Sequence, residues 1–176
     1  MHTYIKLNCN GVNCMENFDV IVIGSGIAGI SAAIEARDLG ANVVVLERGY
    51  GGGASGLSGG VVYAGGGTSI QKEAGIEDTP ENLFNYLSQE TQGIVKDETL
   101  RRFCEESPGM IEWLIENGAE FKGTVCEYKT SYPTDQHYLY YSGNEKAWPY
   151  MNSATPAPRG HRQLAPGMSS GNELMR

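Results

Sequence analysis

Asp19-Val-Ile-Val-Ile-Gly24-Ser25-Gly26-Ile27-Ala28-Gly29 is the stretch whose reading decides the fold. Its first five residues form an acid followed by a short apolar, β-branched run, the kind buried on both faces of a parallel sheet. The glycines come next, and over residues 27–39 the pattern changes to helical spacing. Ile27, Ile30, Ile34 and Leu39 recur against Glu35, Arg37 and Asp38, and Gly40 supplies the stop. Residues 42–47 return to an apolar run ending in an acid, Glu47. The pattern predicts a strand–helix–strand unit of about thirty residues.

A Gly-x-Gly-x-x-Gly run is specific only when it follows a strand and opens a helix, and here it does both. Gly24 permits the tight turn, Gly26 lets backbone approach a pyrophosphate, and Gly29 lets the helix pack closely on the strands. Ser25, Ile27 and Ala28 fill the turn between them, and the free N–H groups of the helix start favour an anion. Glu47, eighteen residues beyond Gly29, stands where a carboxylate accepts from both ribose hydroxyls and repels a 2′-phosphate, which disfavours NADP. The bland alternative, a glycine-rich turn beside an exposed acid, leaves the register of strand, helix and acid unexplained.

The fingerprint does not separate FAD from NAD; the loop after Glu47 does. Arg48-Gly-Tyr-Gly-Gly-Gly-Ala54-Ser55-Gly-Leu-Ser58-Gly59-Gly60 is long and built of small residues, so its amides and the Ser55 and Ser58 hydroxyls can reach along a pyrophosphate toward a flavin. A disordered glycine linker is the competing reading. Against it, Val61, Val62 and Tyr63 resume a buried-looking run. The expected fold is α/β: a Rossmann-like FAD/NAD(P)-binding unit with a parallel sheet flanked by helices.

The formal charge is −8, and residues 71–120 account for it with 12 acids against 4 bases. Such a stretch reads as solvated helix faces and offers no basic footprint for nucleic acid or an anionic membrane surface. Thr79-Pro80-Glu81 is a helix start, a second helix is expected over 97–106, and Ser107-Pro108 opens a third that Asn117-Gly118 ends. Cys9, Cys14, Cys104 and Cys126 form no Cys-x-x-Cys pair and read as free thiols, with no metal set. Residues 1–17 read as a tail, with Met15 as an alternative start and no apolar core of a secretory signal. The expected location is cytoplasmic, and no run reads as a membrane span.

On these residues the chain resembles the FAD-binding domain of the fumarate reductase/succinate dehydrogenase flavoprotein superfamily. The matches are the Asp19–Gly29 run, Glu47, Ala54-Ser55-Gly-Leu-Ser58-Gly59-Gly60, Thr79-Pro80-Glu81 and Trp113-Leu-Ile-Glu-Asn-Gly118. Gly59-Gly60-Val-Val-Tyr-Ala-Gly-Gly-Gly67, Ser131-Tyr132-Pro133-Thr134 and Tyr138-Leu-Tyr140-Tyr141-Ser-Gly-Asn-Glu145 look like the 3-ketosteroid dehydrogenases, especially the Δ4-(5α) type. Pro158-Arg159-Gly-His161-Arg162 is similar to the run after which such chains return to the FAD domain.

The resemblance implies an FAD-dependent oxidoreductase acting on a C–C bond beside a carbonyl, with a small-molecule substrate of steroid type. Two alternatives stand beside it: a truncated nucleotide-binding module without activity, and a fumarate- or urocanate-type reductase. No histidine lies between Glu47 and Gly60, so FAD is expected to be noncovalent. Family length implies an N-terminal fragment: residues 18–125 as the first part of the FAD-binding domain, residues 126–176 as an aromatic, loop-rich segment, and the cap domain absent.

Six of the ten tyrosines lie in residues 126–150, where Tyr138, Tyr140 and Tyr141 are candidates to line a flat apolar ligand. Packing against the domain explains them equally well. His161 with Arg159 and Arg162 faces the flavin or an anionic substrate, or else is surface charge or a structural hydrogen-bond node. No catalytic acid or base, electron acceptor or oligomeric state is assigned.

Overall fold

The computed structural model describes residues 3–9, 12–130, 134–166 and 170–176. The chain forms two compact units, Met1–Leu57 with Met175–Arg176, and Ser58–Leu174. The division falls inside the glycine loop, and residues 126–174 share a unit with 58–125.

In the first unit β1 (Thr3–Cys9) and β2 (Val12–Phe18) pair antiparallel, Thr3 opposite Phe18, where the sequence suggests a tail. Then β3 (Val20–Ile23), α1 (Ile27–Asp38) and β4 (Val43–Leu46) build the expected strand–helix–strand unit. The strands are parallel, with Val20 opposite Val43 and Ile23 opposite Leu46. Asp19 fixes that register from outside the ladder, its Oδ2 accepting the Asn42 N–H at 2.9 Å.

Gly40, at φ +88°, ends α1 in a Schellman turn. Its N–H donates to the Arg37 carbonyl and that of Ala41 to Ala36. A short helix, α2 (Gly53–Gly56), follows a left-handed Gly52. No residue of α1 is buried, and Ile23 and Leu39 are each 86% exposed. This is an α/β Rossmann-like unit whose two strands are apolar on both faces while one helix covers them.

The second unit holds a four-stranded sheet in the order β5 (Val61–Tyr63), β8 (Gly160–Arg162), β7 (Leu139–Tyr140), β6 (Val125–Cys126). The β6–β7 pair is parallel and the others are antiparallel. Its helices are α3 (Ser69–Glu73), α4 (Pro80–Thr91), α5 (Asp97–Glu116), α6 (Tyr150–Ser153) and α7 (Ser170–Leu174).

Thr79 caps α4 as the sequence predicts, accepting from the Asn82 N–H, with Pro80 at the first position. The two helices expected on either side of Pro108 are one. Leu100, Cys104, Ser107, Ile111 and Leu114 form an unbroken buried stripe along α5, and burial of that face outweighs the bond to Cys104 that proline cannot make. One apolar cluster joins Ala64, Ile70, Ile111, Leu114 and Leu139, and a second joins Leu83, Phe84, Leu100 and Cys104. Cys104 and Cys126 are buried free thiols. Among the described residues no helix is long and apolar enough to cross a membrane.

An ion pair with no solvent exposure on either side chain crosses this core. Arg159 Nε and Nη2 each donate to an Asp78 carboxylate oxygen at 3.0 Å. Asp78 also accepts from the Gly66 and Thr79 N–H groups, Gln71 Nε2 and Asn82 Nδ2. Burial by itself raises a carboxyl pKa, but the Arg159 guanidinium outweighs it and holds Asp78 below its usual value. The Tyr86 ring lies 5.0 Å from the guanidinium carbon, which adds a cation–π contact. Arg159→Met should cost about 3–5 kcal/mol in urea unfolding, because it strands a buried carboxylate. Adding Asp78→Asn should recover part of that loss.

Candidate functional site

The first unit gathers most of the residues the fingerprint singles out. Glu47, just beyond β4, turns its carboxylate back onto the glycine turn. Oε2 accepts the Ser25 N–H at 2.9 Å and the Ser25 hydroxyl at 2.8 Å, and Oε1 accepts the N–H groups of Arg48 at 2.7 Å and Gly49 at 2.8 Å. The Ser25 amide is the largest influence, followed by the Gly49 amide, the Ser25 hydroxyl and the Arg48 amide. Together they hold the carboxyl at about 2, against the usual 4.5, although it is fully exposed. The acid is therefore ionised across all ordinary pH.

The loop that follows folds back over the same turn. Gly51, Gly52 and Gly53 all have positive φ, the Gly52 N–H donates to Ser25 Oγ at 3.1 Å, and the Ile27 N–H donates to Ser55 Oγ at 3.3 Å. Ser55 thereby caps the first turn of α1, for which Gly26 has no side chain to offer. Ala54 lies beside it in α2. An open cavity of about 530 Å³ is lined by Ile23, Gly24, Leu46, Glu47 and Arg48, within the size range of ligand sites.

The three fingerprint glycines separate by physical role. Gly24 sits at φ +93° with open space around a notional Cβ, so conformation alone requires it. A Cβ on Gly29 would lie 2.0 Å from the Gly24 carbonyl oxygen, so the fold itself requires that glycine. A Cβ on Gly26 would meet the protein at 3.9 Å and beyond, which is ordinary contact. A steric demand at position 26 thus comes from whatever occupies the turn, and an extended phosphate-bearing group fits that requirement.

The remaining expected residues lie in the second unit. Ser58 Oγ accepts the Gly60 N–H at 3.2 Å. Gly60 has φ +63°, and a Cβ there would lie 2.4 Å from the Ser170 carbonyl carbon. Gly59 has open space at its Cβ position. The glycines at 65–67 approach the protein's own buried charges instead of a ligand. A Cβ on Gly65 would lie 2.9 Å from Asp78 Oδ2, while the Gly66 and Gly67 N–H groups donate to Asp78 and Gln71.

Of the aromatic candidates, Tyr140 and Tyr141 are buried and Tyr138 is half-buried. The Tyr138 hydroxyl donates to the Asp135 carbonyl, that of Tyr140 to the carbonyls of Thr134 and His137, and Lys146 Nζ sits 3.7 Å from the Tyr141 ring centroid. Tyr132 lies outside the described residues. Of the readings open to it, His161 is the buried structural node. Neutral, its Nδ1 donates to the Arg159 carbonyl and its Nε2 accepts from Thr68 Oγ1, which in turn accepts the Gln71 N–H. Arg162 is equally internal, donating to Ser170 Oγ, the Thr134 and Ala165 carbonyls and Asp135 Oδ1.

The tie between Ser25 Oγ and Gly52, and the Asp78–Arg159 pair, escape sequence reasoning. Only the run of three glycines at 51–53 hints at the first, and nothing near Asp78 hints at a partner 81 residues away.

A glycine turn, a ribose-competent carboxylate and an adjoining cavity define a dinucleotide-binding unit. The chain belongs to the FAD binding domain family, whose match runs over residues 19–175. It is 52% identical over 154 residues to the 3-oxo-5-alpha-steroid 4-dehydrogenase of Comamonas testosteroni, covering 86% of this chain and 29% of that protein. It superposes with TM-score 0.86 and 39% identity on the 3-ketosteroid-delta4-(5alpha)-dehydrogenase of Rhodococcus jostii RHA1, solved with 4-androstene-3,17-dione, covering 90% of this chain and 34% of that one. It is also 40% identical over 101 residues to the urocanate reductase of Eggerthella lenta, covering 57% of this chain and 16% of that protein. The chain thus spans less than a third of the length of these curated relatives.

The glycine roles predict a contrast. Gly29→Ala should lower the melting temperature without any nucleotide present, whereas Gly26→Ala should leave it unchanged and weaken FAD binding in a fluorescence titration. His161 gives a pH signature. Burial pushes it down to about 4 from 6.5, so its contribution is fully present above pH 6.5 and is lost as pH falls toward 4. Unfolding free energy should therefore fall across that window by up to roughly 3 kcal/mol. His161→Gln should lack that part of the slope.

Proposed function

We propose that this chain is the nucleotide-binding part of an FAD-dependent oxidoreductase that acts on a C–C bond beside a carbonyl, with a 3-ketosteroid as substrate. The observation that carries the reading is the 52% identity to a 3-oxo-5-alpha-steroid 4-dehydrogenase over most of this chain. FAD, when bound, supplies a hydride acceptor for that bond. The chain's own residues bind and orient.

In this reading the Gly24, Ser25, Gly26, Ile27, Ala28 and Gly29 turn takes the pyrophosphate at the start of α1. The Glu47 carboxylate, ionised and shared with its present donors, accepts from the ribose hydroxyls. Arg48 lines the cavity beside Glu47, and Ala54 and Ser55 follow as contacts toward the flavin; Ser58, Gly59 and Gly60 are further cofactor-binding candidates. Tyr138, Tyr140 and Tyr141 are secondary candidates for the substrate side. The cofactor is held noncovalently and the location is cytoplasmic. A fumarate- or urocanate-type reductase is the second reading, favoured by the 40% identity to a urocanate reductase.

Protein loaded with FAD should be yellow and should release its flavin into the supernatant on acid precipitation; flavin kept by the pellet would contradict noncovalent binding. Dye reduction with a 5α-reduced 3-ketosteroid, run beside reductive assays with urocanate and fumarate, separates the activities. Turnover with the steroid alone is expected from the oxidoreductase in which this segment works. Urocanate or fumarate turnover would favour the second reading, and tight FAD binding with no turnover at all would leave a nucleotide-binding module.

A further inference from the structure

Ser25 occupies a position in the turn that the fingerprint leaves open to any residue, yet its hydroxyl is fully committed on both sides. Its oxygen accepts the Gly52 N–H at 3.1 Å, and its single proton goes to Glu47 Oε2 at 2.8 Å. The same residue's N–H donates to that carboxylate oxygen at 2.9 Å. One side chain thereby ties three pieces of chain together: the turn after β3, the acid after β4, and the return loop that begins at Gly51.

The return loop runs through backbone that glycine alone adopts readily. Gly51, Gly52 and Gly53 have φ of +83°, +75° and +52°. Runs of glycine carry the highest conformational entropy in the absence of a tether. The tether is close: a Cβ on Gly51 would lie 3.5 Å from Ser25 Oγ, and one on Gly53 would lie 3.5 Å from the Gly26 Cα. The loop delivers Ser55 to the Ile27 N–H at 3.3 Å.

We infer that Ser25 is a positioning residue for the cofactor: its hydroxyl holds the ribose-binding carboxylate of Glu47 and the Gly51–Gly53 turn in register, so that both are in place before FAD arrives. The inference rests on the FAD reading above and adds to it how the chain prepares the site. Ordering these groups in advance removes part of the entropy that binding would otherwise have to supply. The role differs from direct contact with the nucleotide because it acts through Glu47 and the loop.

The test is FAD titration by flavin fluorescence with the full chain, Ser25→Ala, Ser25→Thr, Glu47→Ala and the Ser25→Ala/Glu47→Ala double variant. Loss of the hydroxyl's two hydrogen bonds predicts at least about three- to tenfold weaker binding for Ser25→Ala. Ser25→Thr, which keeps the hydroxyl, should bind within about twofold of the parent, and in the Glu47→Ala background, where only the Gly52 tie is left to lose, Ser25→Ala should cost less than it does in the parent. Amide exchange at Gly52 in the nucleotide-free chain should rise in Ser25→Ala, a change that direct cofactor contact would not produce.

Equal affinity of parent and Ser25→Ala, or the same loss in both backgrounds, overturns the assignment and leaves the FAD reading standing. A parent chain that binds no FAD overturns both. Should Ser25→Ala fail to fold by circular dichroism, Ser25→Cys replaces it, since it keeps the shape and weakens the donor; parent-like affinity and Gly52 exchange in that variant overturn the assignment as well.

Discussion

The second unit is organised around a demand that charge imposes on the chain. Arg159 and Asp78 have no solvent exposure, and two ions in that setting are tolerable only when nearly every polar atom has a partner. At the carboxylate the fold meets the condition with the Gly66 N–H, the Thr79 N–H beside the cap of α4 and the side chains of Gln71 and Asn82. The carbonyl of Arg159 then orients His161, and His161 orients Thr68, whose capping box starts α3. One ion pair thus sets the entry to two helices and the path of β8.

The same requirement explains why glycine-rich sequence is used for two purposes. At 51–53 the glycines supply left-handed turns that carry the loop back over the nucleotide-binding turn. At 65–67 they let the Gly66 N–H reach a buried carboxylate and the Gly65 and Gly67 N–H groups reach Ser107 and Gln71, where a side chain at Gly65 would collide with Asp78 and Arg159. Composition shows only that glycines cluster. What each cluster approaches, a ligand or the protein's own charge, depends on which distant residue is folded against it.

Two carboxylates are held in their ionised form by different physics. Glu47 is exposed, so desolvation hardly opposes it, and three backbone amides with one hydroxyl lower its pKa strongly. Asp78 is buried and owes its charge to a guanidinium that must outweigh desolvation. Glu145 is also buried, and there desolvation outweighs its own backbone amide, the Arg159 charge, the Gly143 amide and the Tyr63 hydroxyl, so its pKa is raised. The first arrangement suits a group that exchanges donors with a ligand, and the second suits one that never leaves the core.

The sequence by itself determined the strand–helix–strand unit and its nucleotide-binding turn, because the evidence for them is local. A β-branched run, glycines at fixed offsets, helical spacing and an acid at the next strand end all lie within thirty residues, and each is dictated by backbone sterics or by the helix dipole. The glycine stop of α1 at Gly40 and the Thr79 cap of α4 were legible for the same reason. Tertiary structure decided what local rules cannot carry. It ran α5 straight through Pro108 because a buried stripe continued on the far side. It buried Tyr140 and Tyr141 against the domain. It resolved His161 as a structural node, and it joined Ser25 to Gly52 and Asp78 to Arg159. Each of these depends on burial or on partners tens of residues away, and propensity and spacing have no access to that information.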